Sequence, residues 1–260
     1  MSGFRELSGK HIVITGANSG IGKCMLNRLR DLGAVIVAAD KDTSDIEESG
    51  SVFPVQVDLS YKEGVDYLFD QAISRMGSID IFVANAGFPY YEMIRSADWD
   101  RAEKIFSINT LSPIYSYEKM IEHLVGRHGM VVVTDSAMGE TAMPGFSLYS
   151  STKYALNGFR AGIKHECPSN VDTVFSFPIS TDTGFFRHDS TNGMEKPFPV
   201  QTPDHVAKRM VSAMRKGKSC VYPSRLYSLA RIVFRIIPPI EWAYCGYYRI
   251  KMKHHFSSRQ

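Results

Sequence analysis

The stretch Ile12-Val13-Ile14-Thr15-Gly16-Ala17-Asn18-Ser19-Gly20-Ile21-Gly22 decides the reading of this chain. A β-branched run suited to a pleated strand breaks into a glycine-rich turn, then passes into the amphipathic stretch Ile21 to Leu32. Glycines in such a turn let the backbone bend tightly and approach a pyrophosphate. The following helix offers free N–H groups and a positive dipole. Gly16, Asn18, Ser19, Gly20, Ile21 and Gly22 are therefore candidate phosphate-side contacts. Many strand-to-helix turns carry glycine for packing alone, so the next strand arbitrates. Val35-Ile36-Val37-Ala38-Ala39 ends at Asp40, about 20 residues past the glycines. A carboxylate there accepts both hydroxyls of an adenosine ribose and repels a 2′-phosphate. The two features predict a dinucleotide site taking NAD in preference to NADP, with Lys23 and Lys41 pulling the other way.

Outward from this turn the pattern repeats. Further apolar runs lie at Val52 to Val57, Ile79 to Val83, Val131-Val132-Val133, Val171 to Phe177 and Cys220-Val221-Tyr222. They are nearly continuous rather than alternating, as in strands covered on both faces. Helical patterns separate them at Gly64 to Met76, Trp99 to Leu124 and Tyr149 to His165. Such alternation builds right-handed βαβ units. The expected fold is α/β, a Rossmann-like doubly wound parallel sheet of about seven strands in a single domain. Ligands in such a sheet bind beyond the carboxyl ends of the strands.

A chain of 260 residues can bury a core without staples, and 44% hydrophobic with 22% charged residues excludes a disordered or collagenous chain. The formal charge of +3 conceals an asymmetry: residues 1–223 hold 23 basic and 26 acidic side chains, and residues 224–260 hold 7 and 1. The expected organisation is a dinucleotide-binding catalytic unit over 1–223 and a basic amphipathic tail over 224–260. Cys24, Cys167, Cys220 and Cys245 form no C-x-x-C pair and the histidines lack ligand spacing, so no metal site or disulfide framework is expected. Reduced thiols, no apolar segment within Met1 to Lys10 and no run of about 18 apolar residues point to a cytoplasmic protein without a spanning helix.

Tyr149-Ser150-Ser151-Thr152-Lys153 puts a phenol and an ammonium on one face of a helix. The ammonium favours the phenolate, which suits the phenol to general acid–base work. Such pairs also arise by chance, but Ser136 stands 13 residues earlier, just past a strand, within Ser136-Ala137-Met138-Gly139. Taken with the Thr15-Gly16-x-x-x-Gly20-x-Gly22 turn, Asp58-Leu59, Asn85-Ala86-Gly87 and Ser107-Ile108-Asn109-Thr110, these landmarks fall in order along the chain. They resemble the short-chain dehydrogenase/reductase family, in its shorter Tyr-x-x-x-Lys branch, over roughly residues 8 to 222.

The resemblance implies an NAD(P)-dependent oxidoreductase that interconverts a hydroxyl and a carbonyl by hydride transfer. It implies that Tyr149 is the general acid or base, that Lys153 lowers its pKa and binds the nicotinamide ribose, that Ser136 fixes the substrate oxygen and that Asn109 holds a relay water. It places Asp58 and Leu59 at the adenine, and Asn85, Ala86 and Gly87 along the adenine and ribose. Pro178, Thr181 and Thr183 match positions that hold the nicotinamide carboxamide and the phosphates. Subunit contacts through the helices carrying Asn109 and Tyr149 imply a homodimer or homotetramer. Ala84 replaces the first of two usual asparagines, and Ile179 replaces the glycine after Pro178, which puts the register at Thr181 in question. Asp135 is an unusual neighbour for Ser136; strand alternation is expected to turn its side chain away from the pocket. A non-catalytic dinucleotide sensor or scaffold would not need all four of Asn109, Ser136, Tyr149 and Lys153. A lyase or epimerase of the extended branch would need a longer chain.

The connection Gly184 to Thr202 carries Phe185, Phe186, Met194 and Phe198 and reads as a mobile lid. Together with Tyr91, Met138, Thr141, Met143 and Phe146 it suggests a small but fairly bulky apolar substrate, lipid-, steroid- or retinoid-like. In the tail, a helix over Tyr227 to Ile237 segregates Ser228, Arg231 and Arg235 from Leu226, Leu229, Val233, Ile236 and Ile237, and Pro238-Pro239 ends it. Aromatic residues and a basic cluster follow. Two uses are open: peripheral membrane contact, or a tail folded over the pocket or a sister subunit. No motif for nucleic-acid binding accompanies the charges.

Overall fold

The computed structural model describes residues 4–184, 194 and 196–257. Its seven strands are β1 (His11–Thr15), β2 (Val35–Asp40), β3 (Val52–Gln56), β4 (Ile81–Ala84), β5 (Gly129–Thr134), β6 (Val171–Ser176) and β7 (Cys220–Val221). They form one parallel sheet in the order β3-β2-β1-β4-β5-β6-β7. Chain order reverses between β1 and β4, where Ile14 pairs with Ala38 on one side and Val83 on the other. A crevice opens beyond this switch point.

Side-chain alternation along the strands divides the core into two layers. Ile12, Ile14 and Ile36 pack with α1 (Gly20–Asp31) and α6 (Pro203–Arg215), through Met25, Leu29, Met210 and Met214. Val13, Val37 and Val131 pack on the opposite face with α2 (Lys62–Met76), α4 (Ser112–His123) and α5 (Ser147–Glu166). Both faces are dry, which is why the strands read as unbroken apolar runs.

Three features depart from the sequence-based expectations. The single helix expected over Trp99 to Leu124 is divided into α3 (Trp99–Phe106), a π-helical turn (Ser107–Leu111) and α4. The buried Asn109 side chain holds that turn, accepting from the Phe88 N–H at 3.0 Å and donating to the Phe88 carbonyl at 2.9 Å. Helix α6 is not among the expected helices, although Val206, Ala207, Met210, Val211 and Met214 form a buried stripe at helical spacing. Capping adds to the signal: the Thr202 hydroxyl accepts from the His205 N–H, and Pro203 stands at the first turn.

The third departure is the tail. It forms α7 (Arg225–Ile236), ended before the proline pair as expected, and a second, unforeseen helix α8 (Pro238–Ser257) that starts on Pro238. Helix α7 is inverted relative to the expected amphipathic arrangement. Leu226, Leu229 and Ile236 face solvent, while Arg231 turns inward and stacks 4.0 Å from the centre of the Tyr222 ring. Helix α8 lays Tyr244, Tyr248, Met252 and Phe256 against Tyr91, Met143, Phe146 and Tyr149. No helix among the described residues is long and apolar enough to cross a membrane.

Candidate active site

The turn after β1 is shaped by close approaches. Gly16 and Gly20 have φ of 66° and 54°, a region side chains avoid. A Cβ on Gly22 would lie 1.9 Å from the Gly16 carbonyl oxygen. Helix α1 has no acidic residue in its first turn and no side-chain cap from Ser19, so its N-terminal amides stay available to an anion. Thr15 braces the turn. Its hydroxyl accepts from the N–H groups of Asn85 (2.9 Å) and Ala86 (3.0 Å), and the Asn85 amide donates to the Thr15 carbonyl (3.1 Å). Thr134 completes the tie by donating to Asn85 Oδ1. The ends of β1, β4 and β5 are thus locked together beneath the crevice.

Asp40 closes the adenosine side. Its Oδ2 accepts from the Asn18 N–H at 2.9 Å. The neighbouring lysines are engaged elsewhere: Lys41 with Asp58 at 2.9 Å and Lys23 with Asp45 at 4.0 Å. Burial alone would raise the Asp58 carboxyl, but hydrogen bonds from Ser60 and Lys41 outweigh it and hold it at about 2. These carboxylates and the glycine turn fit the adenosine diphosphate part of a dinucleotide.

The opposite wall carries the reactive groups. Ser136 follows β5 in extended conformation, with its hydroxyl accepting from the Met138 N–H at 3.1 Å. The Tyr149 hydroxyl faces the same cleft as Ser136. Lys153, one helical turn on, is 4% exposed; its Nζ donates to the Thr134 carbonyl at 2.9 Å and lies 5.8 Å from the centre of the Tyr149 ring. Burial pushes the Tyr149 phenol above its usual range, opposed by the neighbouring Ser136 hydroxyl. Burial likewise pushes the Lys153 ammonium down.

Asp135 keeps the direction that strand alternation gives it, towards α5 on the same face as Val131 and Val133. It is 1% exposed, borders the cleft and accepts from the Ser136 N–H at 2.9 Å, while Oδ2 is buried without a hydrogen-bond partner. Its own N–H still donates to the Ser176 carbonyl at 2.9 Å, so the pairing of β5 with β6 runs on through this residue. Burial pushes its carboxyl well above the usual range, with Lys153 and Arg160 opposing and Glu140 assisting. Its charge raises the pKa values of both Lys153 and Tyr149. Asp135→Asn keeps an oxygen for the Ser136 N–H and removes that charge. With Lys153 protonated, removing that charge makes the surroundings of Tyr149 less negative. The acidic limb of kcat/KM for alcohol oxidation is therefore expected to move to lower pH. A profile that stays put or moves up would show that the carboxylate does not act on Tyr149.

These residues enclose a cleft of about 550 Å³. Gly16, Ser19, Gly20, Ile21, Asp40, Asp58, Leu59, Asn85, Ala86, Gly87, Ser136, Tyr149, Lys153, Pro178, Thr181 and Thr183 all line it. The Ile179 substitution leaves both threonines on the cleft, with the Thr183 methyl 3.0 Å from where a Gly20 Cβ would stand. Three candidates sit behind the wall. Gly22 faces Gly16, Asn18 supports Asp40, and Asn109 bonds to Phe88 and the Thr152 hydroxyl. Asn109 thus shapes the wall from within.

On the substrate side, Met138 and Phe146 line the cleft. Tyr91, Met143, Phe146, Met194 and Tyr248 line an adjoining cavity of about 330 Å³ under α8. Thr141 is buried outside both cavities and Phe198 is 72% exposed, so neither joins the lining. Phe185 and Phe186 lie outside the described residues. Sequence reasoning also passed over Glu140. It accepts from the Tyr222 hydroxyl at 2.7 Å and from Arg231 at 3.5 Å, while the Tyr227 hydroxyl donates to the Ala137 carbonyl at 3.0 Å. This clamp joins α7 to the turn that follows Ser136.

A dinucleotide cradle facing a Ser136-Tyr149-Lys153 cluster across one cleft defines a dinucleotide-dependent oxidoreductase site. The family model for short chain dehydrogenase matches residues 10–192. The chain belongs to this short-chain dehydrogenase family. It is 31% identical over 233 residues to the cattle (Bos taurus) 3-ketodihydrosphingosine reductase, covering 81% of this chain and 70% of that protein. It is 26% identical over 247 residues to the mouse (Mus musculus) estradiol 17-beta-dehydrogenase 11, covering 90% and 82%. The crystal structure of a short-chain dehydrogenase/reductase from Burkholderia phymatum in complex with NAD superposes with a TM-score of 0.78 at 19% identity, covering 91% of this chain and 96% of that one.

Proposed function

We propose that the protein interconverts a hydroxyl and a carbonyl on an apolar, lipid-like substrate, with NAD(H) as the preferred cofactor. The observation that carries this reading is the meeting of Ser136, Tyr149 and Lys153 in the same cleft as Asp40 and the glycine turn. The bound cofactor supplies hydride chemistry. The chain supplies the rest. Ser136 orients the substrate oxygen, Tyr149 gives or takes its proton, and the buried Lys153 stabilises the phenolate while reaching the nicotinamide ribose. Phe146, Met138 and the apolar cavity beneath α8 support a substrate larger than a simple alcohol. The named activities of the two relatives, on a ketodihydrosphingosine and on estradiol, support the same substrate class. Assembly as a homodimer or homotetramer and cytoplasmic action at a membrane surface belong to the same proposal.

Fluorescence titration tests the cofactor. NADH is expected to bind more tightly than NADPH. Asp40→Ala should weaken NADH by roughly tenfold or more, the worth of a charge-assisted hydrogen bond, and strengthen NADPH. Tighter NADPH binding by the unaltered protein would overturn the role given to Asp40. A panel of sphingoid, steroid and retinoid ketones then tests the substrate class.

A further inference from the structure

We propose that the outer face of α7 and α8 docks on an anionic lipid surface, while the inner face of α8 roofs the substrate cavity. The inference extends the apolar-substrate reading above by naming the partner from which such a substrate is drawn.

Both helices carry more apolar surface than the enzyme body covers. On α7, Leu229 (62% exposed), Ile232 and Ile236 (72%) form a solvent-facing stripe at i, i+3 and i+7, while Tyr227 points inward. Helix α8 repeats the arrangement. Tyr244, Tyr248 and Met252 pack inward, and Trp242 (70% exposed), Tyr247 and Ile250 point outward. A helix apolar on both faces calls for cover on both, and the body supplies only one.

Charge indicates what covers the other. The exposed side chains of this helix pair include Arg225, Arg235, Arg249 and Lys253, whereas Glu241, the sole carboxylate of the segment, is half-buried. Aliphatic and aromatic groups interleaved with cations suit the boundary between acyl chains and anionic headgroups. A second copy of this chain would bring the same cations against themselves across a two-fold axis, which disfavours self-association through this face. The inner face adds a reason. The cavity under α8 shares Phe146 with the catalytic cleft, so a molecule leaving the bilayer beside α8 meets a mostly apolar lining edged by Lys251, His254 and His255.

The test is cosedimentation of the full chain with vesicles of phosphatidylcholine alone and of phosphatidylcholine mixed with phosphatidylglycerol. The double variants Leu229→Glu/Ile236→Glu and Arg249→Glu/Lys253→Glu are compared, with unchanged melting temperatures as the check on folding. The unaltered protein is expected to favour the anionic vesicles by roughly tenfold or more, a preference that salt weakens. The first variant should lose binding to both vesicles, and the second should lose the anionic preference. Absence of pelleting, or equal pelleting by all three proteins, overturns the proposal. So does a change in sedimentation coefficient of the first variant without any vesicle binding by the unaltered protein, which would assign the face to a second copy. Turnover of a water-soluble ketone is read in parallel. Vesicle binding without turnover removes the enzymatic reading alone, and turnover without vesicle binding removes the docking surface alone.

Discussion

Tyr149→Phe is expected to lower turnover by about 10³-fold while NADH binding stays within a factor of about two, because the phenolic proton, not the ring, does the chemistry. The ring fills a packed site between Phe146 and the Lys153 stem, and phenylalanine retains that volume. The hydroxyl meets Ser136, and no other described residue in the cleft combines that position with a titratable proton under a buried ammonium. General acid–base groups contribute roughly 10²–10⁴-fold, which sets the size of the loss. Single-turnover rates with preloaded NADH would separate it from any change in binding. Undiminished activity would remove Tyr149 from the reaction, and loss of NADH binding would show that the residue is structural instead.

The second large effect is expected at Gly22. Alanine there would put Cβ 1.9 Å from the Gly16 oxygen, 2.7 Å from the Gly16 carbonyl carbon and 2.8 Å from the Asn85 amide nitrogen. Two of these neighbours are backbone, so the turn itself must move. Overpacking of this kind costs about 1–3 kcal/mol, and displacement of the turn should weaken NADH by roughly 100-fold. Gly158→Ala provides the contrast. Gly158 lies within α5 with open space at its Cβ position, and alanine there should raise helix stability by about 1 kcal/mol. Paired melting curves and NADH titrations decide the matter. Equal behaviour of the two variants would mean that the close approach at Gly22 has no consequence.

The sheet was legible because strands covered on both faces show continuous apolar runs, and because βα turns place chemistry-bearing residues at predictable points. Asp40 could therefore be singled out by its spacing, and Ser136, Tyr149 and Lys153 by spacing taken together with the family resemblance. Other features obey no spacing rule. Thr134 serves partly through its backbone carbonyl, which any residue could offer. The π-helical turn at Asn109 depends on a partner, Phe88, that is distant in sequence and contributes only main-chain groups. Asp135 matters through its burial beside Lys153 and Arg160, neighbours from another element that no spacing reveals. The tail was hardest, because an apolar stripe tells that a face is to be covered without telling by what. In α7 the stripe faces outward, and Arg231 is drawn inward by Glu140 and the Tyr222 ring. Tertiary partners decided that orientation, and helical periodicity carries no trace of them.

The Glu140 clamp has a thermodynamic consequence. Glu140 and Ala137, its anchor points, flank the turn whose Met138 amide is held by the Ser136 hydroxyl. A shift of α7 is thereby transmitted to the group that positions the reacting oxygen. Linkage makes such a coupling reciprocal: whatever steadies the tail steadies Ser136, and a substrate held at Ser136 steadies the tail by the same free energy. On the proposed reading of Ser136, substrate binding and ordering of the tail would then share one equilibrium.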